Sequence, residues 1–304
     1  MATIPISLIS PAKINLFLAV TGKQPDGYHE LVTLMCPITL ADTVKIKLTR
    51  RKITVSCTDP DVPEDETNLA HRAARSFLAD WTTEKKGDRF GAHITIEKRI
   101  PVAAGLGGGS SNAATVLLAL NRFYGKPYTR QELGAMALNL GADVPFFIFQ
   151  RPAIATGIGE VLQPVTGVLH GASIILVHPP IRIGTATVYQ NLNLRLTKCQ
   201  QRLKKFNLHI EDALKHIPPG EIEKYLCNDL ETVTTVRYPE IEEIKRTLLL
   251  LGANGALMSG SGPTVFGLFR EKAVARNVFR HLVREYPWNV FQVECWSHEK
   301  NRAK

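Results

Sequence analysis

The 304-residue chain predicts an α+β protein of two domains, and three observations lead there. Short apolar runs separated by turn residues fill much of the first hundred positions, as expected of a largely antiparallel sheet. Helical periodicity takes over from Ala113 to Gly141. After Pro239, helices and strands follow one another in an order that predicts a sheet backed by helices. Length agrees with two domains, since one domain usually takes about 100–200 residues.

In chain order, strands are predicted over Ile14–Val20, Leu31–Ile38, Val44–Leu48 and Ile53–Cys57, with a turn over Gly22–Gly27. Asn68–Leu78 has apolar residues at helical spacing, and His93–Ile96 reads as a strand leading to Lys98 and Pro101. Ala113–Tyr124 is a helix apolar on most sides, ended by Gly125 and Pro127. Thr129 and Glu132 fit a capping box that opens a helix stopping by Gly141. Residues 157–171 are rich in turn residues and precede a buried strand, Ile174–Val177, so a boundary is placed between domains 1–160 and 161–304. Residues 195–226 read as helical and basic, through Arg195, Lys198, Arg202, Lys204 and Lys205, a solvated face. The last third predicts helix 240–251, strand 255–259, a Gly-Ser-Gly-Pro turn, strand 264–269, helix 271–285 and strand 290–296, with the region 290–297 able to pack on the first domain.

A content of 44% hydrophobic and 21% charged residues is an ordinary globular composition, for which disorder is not the default. The net charge of +9 favours anionic partners, but the basic residues are spread along the chain without the clustered stripe and interleaved aromatics of a nucleic-acid binder. No apolar run reaches the roughly 18 residues of a membrane span. The apolar stretch Ile4–Val20 is interrupted by Lys13 and Asn15 and reads as a strand, not a secretion signal. Five widely spaced cysteines without a C-x-x-C pair predict reduced thiols and a cytoplasmic location.

The segment Pro101–Asn112 places four glycines and two hydroxyls directly before a helix. Glycines let backbone N–H groups approach a phosphate, and the helix start adds unpaired donors and partial positive charge. No Walker lysine follows the last glycine, and a G-x-G-x-x-G frame begun at Gly105 meets Ser110 at its final position, so the Rossmann and P-loop patterns fail. The alternative is a tight strand-to-helix connection capped by Ser110 or Ser111. Asp143, ahead of Val144 and Pro145, fits a helix N-cap as well as a catalytic base. Lys13, in an apolar strand, calls for a salt bridge or a catalytic role. Asp26-Gly-Tyr-His29 is, on its own, a turn with a half-exposed tyrosine.

Taken with Pro11-Ala-Lys-Ile-Asn-Leu16, Gly141-Ala-Asp-Val-Pro-Phe-Phe147 and Met258-Ser-Gly-Ser-Gly-Pro-Thr264, the glycine segment resembles the GHMP kinase superfamily over nearly the whole chain. Asp26–His29 brings the likeness closest to the members acting on a cytidylated polyol. The resemblance implies a ribosomal protein S5 domain 2-like N-terminal domain, a ferredoxin-like C-terminal domain and ligands in the cleft between them. It further implies ATP-dependent phosphorylation of the 2-hydroxyl of 4-diphosphocytidyl-2-C-methyl-D-erythritol in non-mevalonate isoprenoid synthesis. Other members, acting on mevalonate, homoserine or a sugar, are the nearest alternatives. An RNA-binding protein is the alternative from another class.

By position, the resemblance makes Asp143 the base that accepts the hydroxyl proton and Lys13 the lysine that supports it. Lys98, Pro101, Gly105, Leu106, Gly107, Gly108, Gly109, Ser110, Ser111, Asn112 and Asn68 fall at ATP-binding positions. Asn15, Tyr28, His29, Thr185 and Tyr189 fall at substrate positions, with Tyr28 stacking on cytosine, His29 reading its edge and Tyr189 as a second stacking ring. The sequence departs from the family at Ala186, near a customary proline, and at Ala104, where glycine is frequent. Mg²⁺ is implied with ATP, near Ser110 or Ser111, its ligands unassigned; the partners implied are ATP and the small cytidyl substrate, with no nucleic acid and no membrane.

Overall fold

The apolar opening run folds as one long strand, β1 (Ile6–Lys23), turned back through a tight hairpin into β2 (His29–Thr49). The turn is closed by Gly27 N–H donating to the Gln24 carbonyl and Gln24 N–H donating to the Tyr28 carbonyl. The computed structural model describes residues 5–50, 52–85, 91–169, 171–199, 201, 210–218 and 220–296. The strands predicted over Leu31–Ile38 and Val44–Leu48 are a single element: the residues between them keep extended backbone despite the turn-like Ala41-Asp42-Thr43 sequence.

The chain forms two compact units, residues 1–12, 40–102 and 107–150 in one, 13–39, 103–106 and 151–304 in the other. In the first, β4 (Gly91–Glu97) pairs antiparallel with the end of β2, Thr43–Thr49, and parallel with β3 (Ile53–Cys57). Parallel neighbours need a long crossover, here α1 (Leu69–Lys85). The β3–β4 pair is parallel where β2 and β4 are antiparallel, as the expectation of a largely antiparallel sheet allows.

Three helices complete this unit: α2 (Gly108–Phe123), α3 (Arg130–Leu138) and α4 (Val144–Phe149). Val116, Leu117, Ala119 and Leu120 are buried along α2, which packs against α1 and α4. Phe77 of α1 lies against the rings of Tyr124 and Tyr128. The capping box at α3 is complete: the Thr129 hydroxyl accepts from Glu132 N–H and the Glu132 carboxylate accepts from Thr129 N–H.

In the second unit β2 also pairs with β5 (Ala153–Thr156), which forms a hairpin with β6 (Val161–Pro164). Of these, β6 occupies part of the segment read as a domain-boundary loop. A separate four-stranded sheet, antiparallel throughout, has the order β11-β7-β10-β9, from β7 (Ser173–His178), β9 (Gly255–Met258), β10 (Val265–Phe269) and β11 (Asn289–Val293). After β7 comes α5 (Thr185–Gln190); α6 (Ile210–Lys215), β8 (Cys227–Asn228) and α7 (Glu231–Arg237) precede α8 (Glu240–Leu250) and α9 (Lys272–Glu285). Ile241, Ile244 and Leu248 of α8, with Ala275, Val278 and Leu282 of α9, recur at helical spacing and are buried in one core with Ile175, Val177, Val265 and Phe269. Each of the Val, Leu, Ile and Phe side chains among them contributes about 1.5–3 kcal/mol on burial. Beyond β11 the chain continues along β2, with Trp296 N–H donating to the Pro37 carbonyl.

One expectation is narrowed and one corrected. Among the described residues of 195–226 the helical reading holds only for short pieces, and Arg202, Lys204 and Lys205 lie outside the described residues. Cys199 and Cys227, 28 residues apart, form a disulfide, leaving Cys36, Cys57 and Cys295 as thiols. Spacing could not announce that pair: Cys227 reaches Cys199 because β8 is drawn in parallel beside β1, pairing Phe17 with Cys227. Among the described residues no helix is long and apolar enough to cross a membrane.

The connection from β4 to α2 passes through Ala103 at φ 53, a left-handed conformation that suits glycine better than alanine. The left-handed penalty of about 1–2 kcal/mol exceeds the unfolded-chain entropy that glycine adds, about 0.5–1 kcal/mol. Ala103→Gly is therefore expected to stabilise the chain by roughly 0.5–1 kcal/mol, seen as a higher urea midpoint at unchanged slope.

Candidate active site

The second unit gathers residues from three distant motifs around one buried ammonium. Lys13 is 4% exposed. Its Nζ donates to Asn15 Oδ1 at 2.6 Å, and its backbone N–H donates to the Leu106 carbonyl. Asn15 Nδ2 donates to Thr33 Oγ1 at 2.9 Å, and that hydroxyl donates to the Phe17 carbonyl at 2.6 Å. Adjacent strands thus fix the rotamer of Asn15, and Asn15 in turn aims Lys13.

The turn between β9 and β10 closes on this group. Ser259 Oγ accepts from Asn15 N–H and donates to the Gly105 carbonyl at 3.0 Å. A Cβ on Gly260 would lie 3.2 Å from Lys13 Nζ, Asn15 Oδ1 and the Gly105 carbonyl, so a side chain there would press on all three. Gly105 sits at φ 74, and a Cβ on it would collide with the Ser259 carbonyl. Glycine is demanded by conformation and by space at once. Asn228 Nδ2 donates to the carbonyls of Met258 and Gly260, holding the turn from its other side.

At the same turn, Ser261 Oγ is 2.8 Å from Thr185 Oγ1. One turn along α5, Tyr189 meets His29, with ring centroids 5.2 Å apart and planes tilted by 35°. His29 is buried, while Tyr28 is 56% exposed. Burial and the Lys23 ammonium hold the His29 imidazole below its ordinary pKa, so it is neutral at pH 7, with one donor and one acceptor nitrogen. The predicted substrate residues Asn15, His29, Thr185 and Tyr189 therefore share one unit and are linked through residues 259–261, with Tyr28 presenting a ring to solvent beside them.

The first unit holds the remaining candidates. Gly107, at φ 71, is the left-handed N-cap of α2, which starts at Gly108. The helix begins five residues earlier than its apolar pattern indicated, because glycines and serines form its first turn. The N–H groups of Gly108, Gly109 and Ser110 have no carbonyl to bond within the helix, the arrangement that favours a phosphate. Ser111 and Asn112 point inward: Ser111 Oγ accepts from Ser10 Oγ, and Asn112 Nδ2 donates to Ser10 Oγ and Asp42 Oδ2. Their side chains are committed to the interior, whereas Ser110 is half-buried.

Lys98 Nζ donates to Asp42 Oδ2 at 2.6 Å, and Pro101 follows on the connection to α2. Asn68 caps α1: its Oδ1 accepts from Ala70 N–H and its Nδ2 donates to the Pro63 carbonyl. Asp143 occupies the N-cap position of α4 yet makes no side-chain capping bond, which removes the capping explanation for its carboxylate. Sequence reasoning missed Asp42, Ser10 and Thr33. Each is a polar residue on an apolar strand, a signal that could have marked them.

Comparison with known proteins bears on the whole chain. Residues 68–151 match the GHMP kinases N terminal domain and residues 210–287 the GHMP kinases C terminal domain. The chain is 45% identical over 289 residues to the 4-diphosphocytidyl-2-C-methyl-D-erythritol kinase of Syntrophotalea carbinolica, covering 95% of this chain and 98% of that one. It belongs to the 4-diphosphocytidyl-2-C-methyl-D-erythritol kinase family of GHMP kinases. A similar match, 46% over 271 residues, covers 89% of this chain and 92% of the kinase from Geobacter sulfurreducens. A crystal structure of a 4-(cytidine 5'-diphospho)-2C-methyl-D-erythritol kinase superposes with TM-score 0.71 at 33% identity, over 96% of this chain and 100% of that one. The homoserine kinase of Cytophaga hutchinsonii superposes as well, TM-score 0.75, at only 18% identity over 96% and 95% of the chains. Backbone shape thus groups the GHMP kinases together, while sequence separates the cytidyl branch from the others.

The relay through Thr33 is specific enough to test in this kinase. Thr33→Val keeps the side-chain shape but leaves the Asn15 amide without its acceptor. Stability is expected to fall by about 1–2 kcal/mol, and kcat by about tenfold as Lys13 loses its aim, with the KM for ATP unmoved. Denaturant unfolding and steady-state kinetics on the purified variant measure both.

Proposed function

We propose that the chain transfers the γ-phosphoryl group of ATP to the 2-hydroxyl of 4-diphosphocytidyl-2-C-methyl-D-erythritol, giving the 2-phosphate and ADP. The observation that carries the substrate choice is the His29–Tyr189 ring pair, linked through Thr185 and Ser261 to the turn that surrounds Lys13. A pyrimidine presents a flat face for stacking and a donor–acceptor edge. An exposed Tyr28 and a neutral, buried His29 offer partners for each.

Asp143 accepts the proton of the substrate hydroxyl as its oxygen attacks the γ-phosphorus. The bond to the β-phosphate bridging oxygen breaks, and ADP leaves. Lys13 offsets the negative charge growing on the attacking oxygen. The first-turn N–H groups of α2 receive the phosphates, and Gly105 to Gly107 let the backbone approach them closely. Lys98, Pro101 and Asn68 belong to the ATP-binding set in this reading.

Mg²⁺ fits the donors on the page, since Ser110 is half-buried at the start of α2 whereas the Ser111 hydroxyl is occupied by Ser10. When bound, the ion would neutralise charge on the phosphates. The reading places the reaction in the cytoplasm, and the domains follow the family's N- and C-terminal division near residue 160.

Purified protein with ATP, Mg²⁺ and the cytidyl acceptor should release ADP, and Asp143→Asn should lower kcat by about 10²–10⁴-fold while ATP still binds. Turnover no greater with the cytidyl acceptor than with mevalonate or homoserine would sink the substrate assignment. A wild-type rate in the variant would return Asp143 to a structural role.

His29 sets a pH dependence of definite sign. Its pKa is lowered on folding, so the unfolded chain binds the proton first as pH falls below about 6.5. Its stabilising contribution is complete above that value and is lost as pH drops through the folded pKa. The neutral ring's acceptor disappears over the same range, so the KM for the cytidyl acceptor should rise on acidification while that for ATP stays level. His29→Gln is expected to flatten the acceptor profile.

A further inference from the structure

Asp42, near the middle of β2 and with no exposed surface, is a buried acid that no part of this mechanism uses. Its carboxylate collects four donors from two separate places. Oδ1 accepts the N–H groups of Arg99 at 2.7 Å and Ile100 at 2.9 Å, where the chain leaves β4. Oδ2 accepts Lys98 Nζ at 2.6 Å and Asn112 Nδ2 at 3.0 Å, the latter from α2. The Lys98 side chain is only 6% exposed, and its Nζ lies 3.0 Å from where a Cβ on Gly108 would sit. A buried ammonium therefore rests against the first residue of a helix, the end that carries partial positive charge and repels it. The carboxylate makes that placement tenable. Ser10 reinforces the arrangement, accepting from Asn112 Nδ2 at 2.9 Å and donating to Ser111 Oγ at 2.8 Å.

We infer that Asp42 is a positioning residue for the nucleotide: it ties the exit of β4 to the start of α2, holding Lys98 and Asn112 where the first-turn N–H groups meet phosphate. The inference rests on the proposed reading of residues 105–112 as the ATP loop. Asp42 touches no ligand and acts through Lys98 and Asn112. Its influence falls on the nucleotide and not on the cytidyl acceptor, since its four donors, Lys98, Arg99, Ile100 and Asn112, include none of the acceptor candidates Asn15, His29, Thr185 and Tyr189.

Asp42→Asn separates this role from general stability. The amide oxygen still accepts from Arg99 and Ile100, but its NH₂ now faces two other donors, Lys98 and Asn112. Titration calorimetry with Mg-ATP and steady-state kinetics on the purified full chain are expected to show the Kd and KM for ATP raised about tenfold or more, the acceptor KM within twofold of wild type, and a smaller fall in kcat. Ser10→Ala, a milder change on the same group, should raise the ATP constants about two- to fourfold. A folded Asp42→Asn protein with wild-type ATP affinity overturns the inference, as do ATP and acceptor constants that rise together. If Asp42→Asn does not fold, Ser10→Ala decides, and unchanged ATP affinity there overturns it. A wild-type chain that fails to bind ATP at all rejects the reading of the loop itself, a distinct result that takes the positioning role with it.

Discussion

A buried ammonium is the constraint around which the second unit is arranged. Removing Lys13 from water is costly unless its charge is met by polar partners, and the strands around it contribute a layered answer. Asn15 faces the charge, Thr33 faces Asn15, and the Phe17 carbonyl ends the series. The Ser259 hydroxyl then joins the same strand to the glycine segment, and the missing Cβ of Gly260 leaves room for the ammonium. Residues more than 240 positions apart are held together by a few polar contacts inside an apolar surround. The hydrophobic core supplies the bulk of the stability, and these contacts select one register.

The first unit solves a matching problem with opposite sign. There the buried charge to be satisfied is a carboxylate, and its donors come from the ends of a strand and the start of a helix. In both units the residues expected to touch ligand lie one step out from the buried polar group, so their orientation is set before any ligand arrives. Preorganisation of this kind is what phosphoryl transfer asks of a protein, since the reaction depends on positioning and charge more than on covalent participation.

Local signals in the sequence were legible where local chemistry decides the structure. The capping box at Thr129 and Glu132 formed as its spacing implies, and α8, β9, β10, α9 and β11 fall within a few residues of their predicted positions. Readings failed where distant partners decide. β2 runs straight through a turn-like sequence because β4 and β5 bond to its different segments, and β6 forms inside the glycine-rich segment that read as a loop. The Cys199–Cys227 disulfide depends on the register of β8 against β1, which no spacing rule encodes. Within the candidate site, the motifs singled out Lys13, Tyr28, His29 and the glycines. Asp42 and Thr33 stayed hidden, because a polar residue in a strand becomes informative only once its partner, 56 or 18 positions away, is known.

The division of the chain has a consequence for how this enzyme could be taken apart. Its two units are not consecutive: the polypeptide passes between them five times, twice in the middle of a strand, after Ala12 and after Thr39. No single cleavage point yields two self-contained fragments. A gene split near residue 150 would leave the upstream product carrying strand segments whose home is in the downstream one, and the downstream product lacking Lys13, Asn15 and Gly105. The family's two recognisable sequence blocks are therefore not transplantable modules, and new specificity in such a protein must come by altering side chains in place, not by exchanging halves.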